Sequence, residues 1–295
     1  MVKKRAILFL AGLFLVLSAP APAWAEAQWP RITLSADGVP ISYEVHGDGE
    51  PTLVFVHGWS CDARYWGAQV PYFSMRHRVI TLDLAGHGHS GLGRSRYTME
   101  SFGEDVAAVV KAAGAERAIL IGHSMGGQVI ACAARILPGR VSGLIGVDTL
   151  ENVGYVMTPE EREAMLAPFR EDFPAETARF AGEMLSPAVE RSLREWIVSD
   201  MSSAPSWVAV SAMEEMTSQY VTGEAARVFE EVRLPVVSVN ADKWPVDFKA
   251  NREHMLSYEA IVIADADHFL MMTRSEEFND ALERAIGMIL WEAGK

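Results

Sequence analysis

The sequence predicts an α/β protein built on a mostly parallel sheet, with a helical segment inserted between two of its strands. Three observations carry this. Short continuous apolar runs at Thr52 to Val56, Val79 to Leu82 and Ala118 to Ile121 read as strands buried on both faces, as parallel sheets require. Longer amphipathic patterns separate such runs, as crossover helices would. From about Asn152 to Glu231 the alternation stops and helical patterns follow one another with no convincing strand.

Arg31 to Leu34 and Ile41 to Val45 flank the turn-like Ala36-Asp37-Gly38 and predict a hairpin. Between the second and third buried strands, Phe102, Val106, Val109, Val110 and Ala113 share one helical face, and Gly114 closes the helix. Strand runs return at Ile145 to Val147, Leu234 to Val239 and Ala260 to Ile263. A last helix from about Ser275 to Trp291 turns Phe278, Leu282, Ile286 and Ile289 inward. The predicted organisation is a signal segment at 1–25, a core at 26–151 and 232–295, and a helical cap at 152–231. The cap holds Met157, Met165, Met184, Met201, Met213 and Met216 with Phe169, Phe173, Phe180, Trp196 and Trp207. These side chains either form the cap's own small core or line an adaptable apolar pocket, since thioethers fill irregular spaces.

The chain of 295 residues is 49% hydrophobic and 22% charged, enough apolar material for a large core and too much for disorder; no repeat of fixed period is present. The net charge of −13 repels phosphate backbones and anionic headgroups, so nucleic acid is not an expected partner. Lys3, Lys4 and Arg5 precede an apolar run from Ala6 to Ala19, and Ala23-Trp24-Ala25 offers small residues where a signal peptidase reads. The run is shorter than the about 20 residues of a spanning helix and ends at Pro20 and Pro22, so cleavage after Ala25 and a secreted or periplasmic product are expected. Loss of those three basic residues would bring the net charge to −16. Cys61 and Cys132 are too few for a disulfide framework, and whether they pair is open.

Gly122-His123-Ser124-Met125-Gly126 follows the strand at Ala118 to Ile121 and opens a helix through Val129, Ala131 and Ala134. This is the context of a nucleophile elbow, where a strained serine needs small neighbours so that strand and helix can approach. His57-Gly58-Trp59 follows an earlier buried strand, and Asp83-Leu84-Ala85-Gly86-His87-Gly88-His89-Ser90 makes a glycine-rich turn after the next.

In these three motifs and their order, the sequence resembles the α/β-hydrolase fold family, in particular its cap-bearing, serine-nucleophile esterase and lipase-like branch, over about Ile32 to Leu290. The resemblance implies Ser124 as nucleophile, the backbone N–H groups of Trp59 and Met125 as oxyanion-hole donors, and a structural role for His57. It also implies a histidine after the last strand. Of eight histidines, His268 in Asp265-Ala266-Asp267-His268-Phe269 has that place. His87 and His89 belong to the glycine-rich turn, His77 and His254 adjoin arginines, His46 ends an early strand, and His123 fills a variable elbow position. For the acid, Asp242 gives the family's chain order after Ser124 and before His268. The family more often has a glycine at the strand end and the acid three residues later; here Asn240 holds the first place and Lys243 the second. Asp148, at the end of the preceding strand, and Asp247 are rivals.

The implied chemistry is hydrolysis of carboxylic esters with small to medium apolar acyl groups, with a small-molecule ester as partner and no cofactor or metal. Acyl transfer, lactone opening and perhydrolysis use the same triad, and a non-catalytic binding protein could keep the fold. Haloalkane dehalogenases and epoxide hydrolases of this fold place a carboxylate at the elbow, where this chain has Ser124. No zinc-ligand spacing, P-loop or dinucleotide fingerprint is present. The sequence does not specify an oligomeric state.

Overall fold

The computed structural model describes residues 30–294, so the expected signal segment lies outside the described residues. Eight strands form one sheet in the order β1-β2-β4-β3-β5-β6-β7-β8. Strands β1 (Arg31–Leu34) and β2 (Pro40–His46) make the expected antiparallel hairpin, and β2 runs antiparallel to β4 (Val79–Leu82). From there β3 (Thr52–Val56), β5 (Ala118–His123), β6 (Val141–Val147), β7 (Pro235–Ala241) and β8 (Ser257–Ile263) run parallel with β4. Every residue of β3, β4 and β5 is buried, which is why these runs lack polar alternation.

Helices cover both faces of the sheet. On one lie α1 (Gln69–Phe73), α10 (Leu270–Thr273) and the long α11 (Ser275–Ala293), which packs across β6, β7 and β8. On the other lie α2 (Met99–Ala112), α3 (Gly126–Ile136), α8 (Glu224–Glu231) and α9 (Phe248–His254). Helix α2 begins with a capping box, Thr98 and Ser101 each accepting the other's backbone N–H. Its Phe102, Val106, Val109 and Val110 are buried, as their spacing predicts.

Between the paired strands β6 and β7 the chain forms five helices and no strand: α4 (Pro159–Glu171), α5 (Phe173–Met184), α6 (Arg191–Ser202), α7 (Ser206–Thr222) and α8. Helix α8 packs against α3 and returns the chain to β7, so the part lying over the sheet's C-terminal edge is α4 to α7. Thr158 and Glu161 form a second capping box at α4, with Pro159 in the first turn where its missing N–H costs nothing. Cys61 and Cys132 are both buried and free, so the possible bridge is not formed.

A buried ion pair ties the first hairpin to α2. The Arg94 guanidinium donates to both oxygens of Asp105 (2.5 and 2.9 Å) and to Asp37 (2.6 Å). Asp105 also accepts from Ser35 Oγ (2.6 Å) and from the N–H of Ala85 (3.0 Å), and it is wholly shielded from solvent. Removing one partner of a buried pair leaves an uncompensated charge. Asp105→Ala should therefore cost about 3–5 kcal/mol in urea denaturation, and a loss under 1 kcal/mol would show that Arg94 finds another partner.

Candidate active site

Ser124 stands at the turn from β5 into α3 with φ +52°, in the left-handed region that costs a non-glycine residue about 1–3 kcal/mol. The turn exists because its neighbours lack side chains. A Cβ on Gly122 would lie 2.2 Å from the carbonyl oxygen of Gly126, and one on Gly126 would lie 2.8 Å from that of Val56. The loop after β3 closes on the serine from the other side, where a Cβ on Gly58 would lie 3.2 Å from Ser124 Cβ. Trp59 and Met125 are buried beside it, and neither backbone N–H donates to a backbone acceptor among the described residues. Two buried N–H groups left unpaired next to a serine are what an oxyanion hole requires.

His57 holds this loop. Its Nε2 accepts the N–H of Leu84 (3.0 Å), which leaves the proton on Nδ1 for the carbonyl oxygen of Gly58 (2.8 Å). Burial pushes its pKa below the ordinary histidine value, in keeping with a neutral ring engaged at both nitrogens.

His268 Nδ1 lies 2.6 Å from Oδ2 of Asp148, with both side chains buried. Asp242 does not meet His268; it lies exposed in the turn after β7, and the expectation that it pairs with the histidine is corrected in favour of its rival, Asp148. The reason lies in the backbone at the two strand ends: Asp242 lies in an exposed turn beyond β7, whereas Asp148 follows directly on β6 and is buried against the His268 ring. Asp148 (φ +43°) and Leu150 (φ +62°) turn the chain sharply there. The end of β7 instead supplies an anchor, because the N–H of Ala241 donates to Asp148 Oδ1 (2.8 Å). Asp247, the other rival, caps α9 through the N–H of Ala250.

His123 does more than fill an elbow position. Its Nε2–H donates to the carbonyl oxygen of His268 (2.9 Å), and the two rings lie 4.7 Å apart, so the elbow braces the histidine loop from beneath. Burial first, then the charge of His268, hold the pKa of His123 well below the usual histidine range, so it remains a neutral strut. Trp244, from the loop that carries Asp242, sets its ring edge-on to His268 at 5.8 Å.

Ser124 and His268 open on a common cavity of about 50 Å³. Met165, Met184, Met201, Met213 and Met216 descend onto it from α4 to α7, while Trp59, Cys61, Phe180 and Phe269 complete its walls. Five of the six cap methionines thus line a pocket; Met157 does not. Phe169 and Phe173 pack on Trp59, Trp196 on Tyr65 and Trp207 on Tyr97. A roomier hollow of about 610 Å³ between β7, β8 and α11 contains no serine, cysteine or histidine nucleophile paired with a base. Among the described residues no three His, Cys, Asp or Glu side chains are grouped as a metal ion would need, and no helix is long and apolar enough to cross a membrane.

Residues 51–194 match the family model described as the alpha/beta hydrolase fold. The chain has the α/β-hydrolase fold. Among curated relatives of this α/β-hydrolase, a pimeloyl-[acyl-carrier protein] methyl ester esterase of Sodalis glossinidius is 27% identical over 205 residues, covering 68% of this chain and 77% of the relative. A non-heme chloroperoxidase of Streptomyces lividans is 39% identical over 123 residues, 40% of this chain and 44% of the relative. Among solved structures, a thermophilic esterase of Thermogutta terrifontis superposes with a TM-score of 0.74 at 23% identity, covering 88% of this chain and 99% of that one, a likeness of fold.

The α/β-hydrolase carries one charged neighbour behind Asp148 that the sequence did not point out. Glu151 lies three residues on, its Oε1 3.4 Å from Asn240 Nδ2. Burial, and then the charge of Asp148, push its carboxyl up to about 7. A carboxyl whose pKa is higher folded than unfolded stabilises the fold fully below its ordinary value, 4.5, and loses that contribution as the pH rises through about 7. Glu151→Gln should match the parent near pH 4 and exceed it above pH 7 by about 3 kcal/mol; denaturation at both pH values measures this, and a pH-independent difference would refute it. Within the site, Asp148→Asn should lower kcat by about 10⁴-fold while Asp242→Asn stays within about twofold. The reverse ranking in ester hydrolysis would return the acid to Asp242.

Proposed function

We propose that this α/β-hydrolase is a secreted or periplasmic serine hydrolase that cleaves carboxylic esters of small to medium apolar acyl groups. The observation that carries the reading is the convergence of Ser124, at a strained elbow beside two unpaired N–H groups, with the His268–Asp148 pair on one apolar cavity.

Asp148 engages Nδ1 of His268, which leaves Nε2 to take the Ser124 hydroxyl proton as Oγ attacks the ester carbonyl. Asp148 stabilises the imidazolium so formed. The N–H groups of Trp59 and Met125 receive the developing oxyanion, each worth about 2.7–4 kcal/mol of transition-state stabilisation. His268 then protonates the leaving alcohol, and water, activated by the same ring, releases the acid from Ser124. The cavity walls present thioethers and aromatic rings and no aspartate, glutamate, lysine or arginine, which favours an uncharged apolar acyl group. A second reading, acyl transfer or perhydrolysis by the same serine, draws on the relative named a chloroperoxidase. Export rests on the charged, apolar and small-residue succession of residues 1–25.

p-Nitrophenyl esters from acetate to palmitate, offered to the protein beginning at Glu26, test the reading. Turnover should be abolished by Ser124→Ala and by His268→Ala, and the double variant should be hardly worse than either, because the two act as a unit. Additive losses, or turnover that survives Ser124→Ala, would sink the mechanism. Expression of the full chain with N-terminal sequencing of the exported product should begin at Glu26.

A further inference from the structure

The helices over the site are fastened to both halves of the machinery beneath them. Trp59, which offers one of the two unpaired N–H groups, sends its indole upward. Its Nε1–H donates to the carbonyl oxygen of Ala209 in α7 (2.7 Å). Around it Phe169 of α4 and Phe173 and Phe180 of α5 stand edge-to-face at 5.3–6.0 Å. On the other side of the serine, the N–H of His268 donates to the carbonyl oxygen of Met184 (3.3 Å), where α5 ends. The adjoining Asp267 is buried, and both of its oxygens are used. Oδ2 accepts the N–H of Ser186 in the α5–α6 connection (2.9 Å), while Oδ1 accepts from the N–H of Phe269 (3.0 Å) and from Thr273 Oγ1 (2.9 Å).

We propose that α4 to α7 work as a clamp that sets the geometry of the oxyanion hole and of the catalytic histidine, with the Trp59 indole and the Asp267 carboxylate as its two positioning groups. Neither group touches the reacting atoms. The indole fixes where the Trp59 backbone N–H points, and the carboxylate fixes the loop from which His268 reaches the serine. The inference rests on the serine-hydrolase reading and adds to it that the helices over the site serve the chemical step as well as substrate enclosure. Such a link matters because an oxyanion donor acts only when aimed at the tetrahedral oxygen, and a displacement of about 1 Å can cost about 10²-fold in rate.

Trp59→Phe keeps the backbone N–H and an aromatic ring but removes the bond to Ala209. The clamp predicts a fall in kcat of about tenfold with KM within about twofold, because the lost alignment is felt in the transition state. Inhibition by a trifluoromethyl ketone, which forms a tetrahedral adduct with Ser124, should weaken by the same factor. Asp267→Asn places an N–H where donors already converge and should likewise lower kcat per titrated serine. Active-site titration with a fluorophosphonate counts folded enzyme, so a loss of folding alone would leave turnover per labelled site unchanged and overturn the proposal. A change confined to KM would also overturn it. Hydrogen exchange in the same proteins gives a readout independent of turnover. Residues 57–62 should lose protection in Trp59→Phe, and 184–186 with 266–270 in Asp267→Asn. Unchanged protection refutes the clamp. If the parent protein shows no Ser124-dependent hydrolysis, the esterase reading falls on that result, and exchange alone decides the clamp.

Discussion

Where β5 turns into α3, the backbone passes so close to itself that a single methyl group on Gly122 would press into the carbonyl of Gly126. That contact fixes where Ser124 stands, and the remaining parts of the site are placed relative to it. The loop after β3 can reach the serine because β3 adjoins β5 on one side, and the turn after β6 lies beside the elbow because β6 adjoins β5 on the other. The fully buried strands carry mostly apolar side chains, which leaves the ends of the sheet as the places where polar side chains gather. The active end of the molecule is thus a consequence of strand order, with the elbow as its origin.

The energetic burden falls unevenly. Ser124, Asp148 and Leu150 all occupy left-handed backbone, and each conformation is held by bonds to other strands or to α9. The N–H of Ser124 donates to Val147, that of Asp148 to Val239, and the Leu150 carbonyl accepts from Asn251 Nδ2 and Tyr258 Oη. The strain sits where chemistry needs unusual directions, and the sheet holds it in place.

Residues that act through local sequence were legible without coordinates. The elbow and the His57-Gly58-Trp59 loop each follow a buried strand, the histidine follows the last strand, and the glycines announce the close approaches by their positions. The carboxylate that pairs with His268 was not legible in this way. Asp148 and Asp242 both follow strands, and the choice between them depends on which carboxylate the folded chain turns onto the His268 ring, a long-range fact absent from either local pattern. The double role of the cap methionines was open for the same reason, since helical spacing says that a side chain points inward and not whether it meets its own helices or the serine. The part played by His123 was hidden too, because its partner is a backbone carbonyl 145 residues away.

The inserted helices begin at Pro159, eleven positions after Asp148, and the chain returns to the core through α8 into the adjacent strand. An insertion rooted at neighbouring strands can change length without disturbing sheet register, which makes this region the natural place for divergence among relatives. Here that freedom is curtailed, because four phenyl and indole rings and the Ser186 amide reach from one part into the other. A cap from another protein of this fold could not be exchanged as a module unless partners for Trp59 and a seat for Asp267 came with it, so the cap and the loops beneath it would have to change together.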